Sequence, residues 1–180
     1  MNLSSANAVL VVVDVQGKLA RIVHESAALI RNIRILTDGA KLLGVPVLVT
    51  EQYPQGIGRT VDELAPVLSG VPRIEKAAFS CCAEAAFLEA LRAAGRSQVL
   101  LCGIEAHVCV YQTGRDLLAL GFGVHLVLDA VSSRRMENRD LAAGKLQGLG
   151  ASLTSVEMAL FEMLEISGTE TFKAISRLVR

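Results

Sequence analysis

Short apolar runs alternate along this chain with longer stretches in which apolar residues recur every three or four positions. The first run, Ala8–Val13 (AVLVVV), is continuous and rich in β-branched residues, the pattern of a strand buried on both faces. Leu29, Ile33, Leu36, Ala40 and Leu43 then follow helical spacing, and Gly44 supplies a C-terminal stop. Val45–Thr50 reads as the second strand, with Pro46 tolerated at its start. Glu51–Thr60 is a Gly/Pro/Gln-rich loop, followed by a short helix over Val61–Leu68 and a brief strand over Arg73–Lys76. The rhythm continues with a helix over Ala83–Ala94 closed by Gly95, a strand over Gln98–Gly103 and a helix over His107–Leu120 closed by Gly121. A strand over Gly123–Leu128, a helix over Asn138–Leu149 ending at Gly150 and a sixth strand over Ala151–Val156 follow. Helices over Met158–Leu164 and Thr169–Leu178 complete the series.

Strands separated by helices pair in parallel through crossovers, so the expected fold is α/β: a three-layer α/β/α sandwich around a six-stranded, mainly parallel sheet. No linker or low-complexity stretch divides residues 1–180, which predicts one domain, with a core over residues 7–164 and a peripheral C-terminal helix over 169–178. Composition agrees. Apolar residues make up 52% and charged residues 20%, enough to offset the entropy of ordering the chain, which a disordered sequence lacks. Lys+Arg and Asp+Glu number 18 each, so no net charge draws the protein to nucleic acid or an anionic membrane, and 4% aromatics leave few base-stacking platforms. So apolar a chain, with mean hydropathy +0.45, is also expected to cover part of its surface with further copies of itself, as a dimer or larger homo-oligomer.

The four cysteines, Cys81, Cys82, Cys102 and Cys109, lack Cys-x-x-Cys spacing, and the first apolar run ends at Asp14, too short for a signal core or a membrane span. These features predict a reduced, cytoplasmic protein without a disulfide framework. Adjacent Cys81 and Cys82 are read as packing or helix-entry residues.

Ligands of open parallel sheets bind outside the carboxyl ends of the strands. Those ends carry Asp14-Val15-Gln16, Glu51-Gln52-Tyr53, Lys76, Gly103-Ile104-Glu105-Ala106-His107-Val108-Cys109 and Asp129 to Arg134. Cys109 falls in the first turn of a predicted helix, where unpaired N–H groups and the positive dipole end are expected to lower its pKa. Taken singly, each of three residues has a plainer reading: Cys109 as a packed thiol, Asp14 as a loop carboxylate, Lys76 as a solvated cation. Taken together they form a consistent set in which Asp14 accepts the thiol proton, Lys76 holds the charges and Cys109 attacks a carbonyl carbon while helix-start N–H groups bind the oxyanion. His107 lies two positions from Cys109, so its ring points elsewhere and a papain-like pair is not expected.

Val11-Val12-Val13-Asp14-Val15-Gln16, then Glu75-Lys76, then Gly103 to Cys109 resemble, in order, the motifs of the isochorismatase-like cysteine hydrolase family, over about nine-tenths of the chain. The resemblance implies an Asp14–Lys76–Cys109 triad and a non-proline cis peptide at Ile104–Glu105. It also implies hydrolase activity, with Glu105 and Cys109 N–H groups as oxyanion hole. The loop Thr50 to Gly58 is similar to a subgroup of mostly unassigned substrate. Nicotinamidases of the family carry Asp/His metal ligands after the second strand. Residues 51–60 here hold neither, which disfavours a zinc site and leaves no cofactor expected. Isochorismate-cleaving members need no thiol, so Cys109 favours acyl chemistry on a small amide or carbamoyl substrate through a thioester. Gln16, Gln52, Tyr53 and Phe79 are candidate pocket residues; bracing of the loop by Gln16, exposure of Tyr53 and packing of Phe79 are the alternatives. Arg134-Arg135 is expected as a solvated pair. A binding or scaffold protein that keeps the fold without turnover is the alternative function.

Overall fold

The computed structural model describes residues 2–180. Six strands form one sheet in the order β3-β2-β1-β4-β5-β6, each pair parallel. They are β1 (Ala8–Val13), β2 (Val47–Gln52), β3 (Arg73–Lys76), β4 (Gln98–Gly103), β5 (Gly123–Val131) and β6 (Ser152–Thr154). The two central strands, β1 and β4, are buried along their whole length, as continuous apolar runs require. The helices among the described residues are α1 (Leu19–Ile22), α2 (Ser26–Leu42), α3 (Pro54–Ile57), α4 (Ala85–Ala94), α5 (Tyr111–Ala119), α6 (Met136–Gly148), α7 (Val156–Leu164) and α8 (Glu170–Leu178).

The sandwich has its three layers. Helices α2 and α7 cover one face of the sheet, and α4, α5 and α6 lie on the other. The C-terminal α8, whose Thr169 hydroxyl caps Phe172 N–H, rests outside α2 and buries Ile175 there. Gly39 lets α2 approach α7 closely, since a Cβ at that position would run into the Leu160 side chain.

The differences from the sequence-based boundaries have local causes. The second strand runs two residues later than its apolar run, because Glu51 and Gln52 satisfy their side chains internally and continue the pairing with β3. The fifth strand extends past Leu128 to Val131, carrying Asp129 inside it. The sixth is confined to three residues. The helix expected at Val61–Leu68 is a single 3₁₀ turn, Asp62–Leu64, followed by turns, and two short helices, α1 and α3, occupy stretches without a clear periodic signal. The helix expected from His107 opens with a π-helical turn over Ala106–Val110 before α5 begins.

Candidate active site

The strand order reverses between β1 and β4, and this switch point is where an open α/β sheet forms its crevice. Two backbone features shape it. Gly103, the last residue of β4, has φ +118°, and a Cβ there would run into the Val13 carbonyl at the end of β1, so the two strand ends meet with no room for a side chain. Asp14, just beyond β1, holds φ +52°, an uncommon conformation for a non-glycine residue of the kind that clusters at functional sites. The Ile104–Glu105 peptide is cis, where the resemblance placed it. It leads into the π-helical turn that carries Cys109, a widening often found at functional sites.

A cavity of about 100 Å³ opens at this point, lined by Asp14, Cys109, Glu105, Gln52, Gln16 and an apolar wall that includes Phe79 and Ile104. A larger surface concavity of about 640 Å³, between α2 and the end of α8, has no cysteine in its lining.

Lys76 ends β3 with its side chain wholly buried, and its ammonium donates to Gln52 Oε1 (2.6 Å), Phe79 O (3.0 Å) and Ala78 O (3.1 Å). Those three bonds use its three N–H groups. The fourth neighbour, Asp14 Oδ2 at 2.7 Å, shares those N–H groups in a buried, charge-assisted ion pair. Thr50 fixes the other oxygen by donating its hydroxyl to Asp14 Oδ1 at 2.7 Å, and the Cys81 thiol lies behind Thr50 at 3.7 Å. The carboxylate thus has one oxygen held by Thr50 and the other faced by Lys76. Burial is the largest single effect on the Lys76 pKa and pushes it down, but the Asp14 charge and hydrogen bond together with the nearby Cys81 and Cys109 outweigh it, and the net shift is upward, so Lys76 stays an ammonium.

Cys109 is buried, with its sulfur 3.9 Å from Gln52 Oε1. Its pKa is corrected upward from the sequence expectation. Burial foremost, and then the Asp14 charge, push the thiol up to about 12, and Lys76 offsets them only in part. Desolvation of the folded site thus outweighs what the helix start offers the thiolate. The resting group is a neutral thiol that shares its cavity with the Asp14 carboxylate.

The pocket candidates separate. Gln16 is fully buried and spends its amide on backbone, donating to Gln52 O and Gly58 O and accepting from Gln52 N–H, so it braces the loop. Gln52 links Lys76 to the Cys109 sulfur and donates to Ala77 O. Phe79 is largely exposed yet forms part of the cavity wall. Tyr53 is a correction: it sits outside the cavity, exposed, its ring lying over Gly56 in a separate surface concavity with Glu75 and Glu84. The left-handed backbone of Tyr53, at the turn between β2 and α3, points it away.

His107 turns toward Ser133 and Asn138 rather than Cys109, as its spacing required. Arg134 is exposed, as expected, but is not free: it donates through Nε to Glu105 Oε1 at 2.9 Å, and its backbone N–H reaches the same oxygen. Arg135 is exposed as well, near Glu137. Thr50 and Glu51 were missed by sequence reasoning. Glu51 is buried and accepts from Thr60 N–H, Thr60 Oγ1 and Arg59, tying down the loop that carries Ile57 into the cavity wall. Burial raises its pKa, but those hydrogen bonds outweigh it and the net shift is downward. A buried-strand Thr-Glu-Gln run was the available signal.

No group of three or more His, Cys, Asp or Glu side chains able to hold a metal ion occurs among the described residues, and no helix among them is long and apolar enough to cross a membrane. All four cysteines are unpaired.

A thiol, a carboxylate and a buried ammonium at the switch point of a doubly wound sheet make an arrangement suited to hydrolytic chemistry. Comparison with known proteins agrees with that class. The family model for the isochorismatase domain matches residues 8–158, and the chain belongs to the isochorismatase family. It is 40% identical to the secreted isochorismatase effector Isc1 of Phytophthora sojae, over 97% of this chain and 85% of that protein. Among solved structures it is similar to the MAR1 ribonuclease of Caenorhabditis elegans, with 38% identity and TM-score 0.94 over 99% of this chain and 92% of the other. It also matches YcaC of Escherichia coli, described as an octameric hydrolase of unknown specificity, at 25% identity and TM-score 0.88, over 92% of this chain and 83% of that one. YcaC of Pseudomonas aeruginosa, solved with hexane-2,5-diol and covalent acrylamide, matches at 26% identity and TM-score 0.91, over 97% and 89%. Family and fold support a hydrolase function.

Proposed function

We propose that this protein is a hydrolase in which Cys109 attacks the carbonyl carbon of a small amide or carbamoyl compound and forms a thioester. The observation that carries this reading is the buried Asp14 carboxylate, ion-paired with Lys76 at 2.7 Å, on the same cavity wall as a neutral thiol. Asp14 takes the Cys109 proton as the S–C bond forms, so the thiol ionises only in the act of attack. Lys76 holds the negative charge on the acid before the transfer and on the sulfur during it. The oxyanion is received by the N–H groups of Glu105 and Cys109, and the Glu105 N–H has no intramolecular acceptor among the described residues. As the C–N bond breaks, the leaving nitrogen takes the proton from Asp14. Water then attacks the thioester, giving its proton to Asp14, and the returning thiolate recovers that proton. One amide and one water become one acid and one amine, each step served by side chains of this chain.

The covalent acrylamide of the YcaC structure supports the reading, because acrylamide is an electrophile that thiols attack. A phosphodiester, by contrast, is large and anionic, and the roughly neutral cavity of about 100 Å³ does not favour it. For assembly, exposed Leu141, Met136 and Leu149 on or beside α6 and the octameric neighbour support a homo-oligomer. Four unpaired thiols support a reducing compartment such as the cytoplasm.

The test is a panel of short amides and carbamoyl compounds, read by amine release, with intact-mass analysis and hydroxylamine trapping of acyl-enzyme. The expected result is turnover with an acyl group on the Cys109 peptide, both abolished in Cys109→Ala. Equal turnover by Cys109→Ala overturns the nucleophile. Silence across the whole panel, with no adduct, puts the binding or scaffold reading in its place.

A further inference from the structure

Every charge around the cavity is matched by an opposite one. Asp14 faces Lys76 at 2.7 Å, and Glu105 faces Arg134 at 2.9 Å. The amide of Gln16 is committed to backbone, and that of Gln52 gives its oxygen to Lys76. What remains facing a ligand is an apolar wall of Leu19, Ile57, Phe79, Ile104 and Val108. A carboxylate-bearing ligand entering this space would lose its water and find no unpaired cation to replace it, a cost that a neutral ligand of the same shape avoids.

We infer that the cavity selects small uncharged ligands, and that Glu105 sets this selectivity by neutralising Arg134 at the cavity wall. The Glu105 side chain is nearly buried and lines the cavity, whereas Arg134 is more than half exposed and lies behind it. Were Glu105 neutral, the guanidinium charge would reach the cavity uncompensated and an anion would become welcome. Size narrows the class further: since a cavity of about 150 Å³ holds benzene, one of this volume takes roughly four heavy atoms. The ligand is an acyl compound with a short neutral chain, not a dicarboxylate.

The inference rests on Cys109 as the reactive group of this cavity, but its test needs no turnover. Iodoacetamide and iodoacetate are nearly the same size and differ in charge. With either, a bond forms between sulfur and the CH₂ carbon, iodide leaves with the C–I electron pair, and the thiol proton passes to Asp14 and then to solvent. Rates at Cys109 are followed by peptide mass spectrometry on the folded protein and divided by those of free glutathione. Wild type is expected to favour iodoacetamide by about tenfold, since an unmatched charge in a poorly solvated site is worth at least that much. Glu105→Gln is expected to shrink the preference by about tenfold, and Arg134→Gln, which leaves the carboxylate alone, to widen it.

Equal normalised rates in wild type overturn the inference. So does an unchanged ratio in a folded Glu105→Gln. If Glu105→Gln does not fold, Arg134→Gln decides: a ratio that stays the same or falls overturns the proposal. A protein that shows the charge preference yet hydrolyses nothing loses the hydrolase reading and keeps this one. A protein that hydrolyses amides while alkylating without preference does the reverse.

Discussion

Asp14–Lys76 and Glu105–Arg134 each join a carboxylate lining the cysteine cavity to a cation behind it, at 2.7 and 2.9 Å. Burial separates them. In the first pair both side chains are almost wholly out of solvent, at 4% and 0% exposure; in the second the carboxylate is 9% exposed and the guanidinium 58%. A pair withdrawn from water depends on its partner for its charge, because neither ion has a shell of water to return to. A pair with one wet member has that recourse, and its attraction is weakened by solvent. The first pair is therefore coupled to the fold and, in the proposed reaction, to proton transfer as well. The second is free to act on what the cavity admits, at little cost to stability.

The hardest way to break this comparison is at Lys76. Replacing it with Met strands the Asp14 carboxylate in the interior, and a loss of about 3–5 kcal/mol is expected in chemical denaturation. A variant within about 1 kcal/mol of wild type would mean that Asp14 is better solvated than its burial implies, and the contrast between the pairs would fall. A smaller effect is expected at Thr50, whose hydroxyl holds Asp14 Oδ1. Thr50→Val keeps the shape but removes that donor, for about 1–3 kcal/mol of stability. Once a substrate is in hand, a carboxylate free to turn should lower kcat more than it raises KM; a change confined to KM would assign Thr50 to packing alone. The smallest stability change belongs to Arg134→Gln, within about 1 kcal/mol of wild type. Any loss there should diminish further at high salt. A loss as large as that of Lys76→Met would show that the Glu105–Arg134 pair, too, is coupled to the fold.

Much of the site was legible in the chain because the sheet is parallel. Once β1, β3 and β4 are recognised from their apolar runs, their carboxyl ends must share one edge, and Asp14, Lys76 and the Gly103–Cys109 segment fall there together. The apolar run Ala8–Val13 and the glycine after each helix carried that inference without any knowledge of packing. Less legible was the fate of each polar side chain near the edge. Gln16 and Gln52 look alike in sequence and differ only in which backbone groups lie within reach. Tyr53 is placed outside the cavity by a single left-handed residue, which local composition does not disclose.

Length, apolar periodicity and the order of polar residues after the strands determined the layered fold, the family resemblance and the three residues of the candidate site. Tertiary structure alone decided the state of those residues. The Cys109 thiol has its pKa raised rather than lowered, because desolvation and a nearby carboxylate act through space from β1 and outweigh the local helix start. Arg134 becomes the partner of Glu105 because the end of β5 leads back beside the loop after β4. Ionisation and charge pairing depend on solvent exclusion and on neighbours far away in the chain, and both come into being only when the sheet closes.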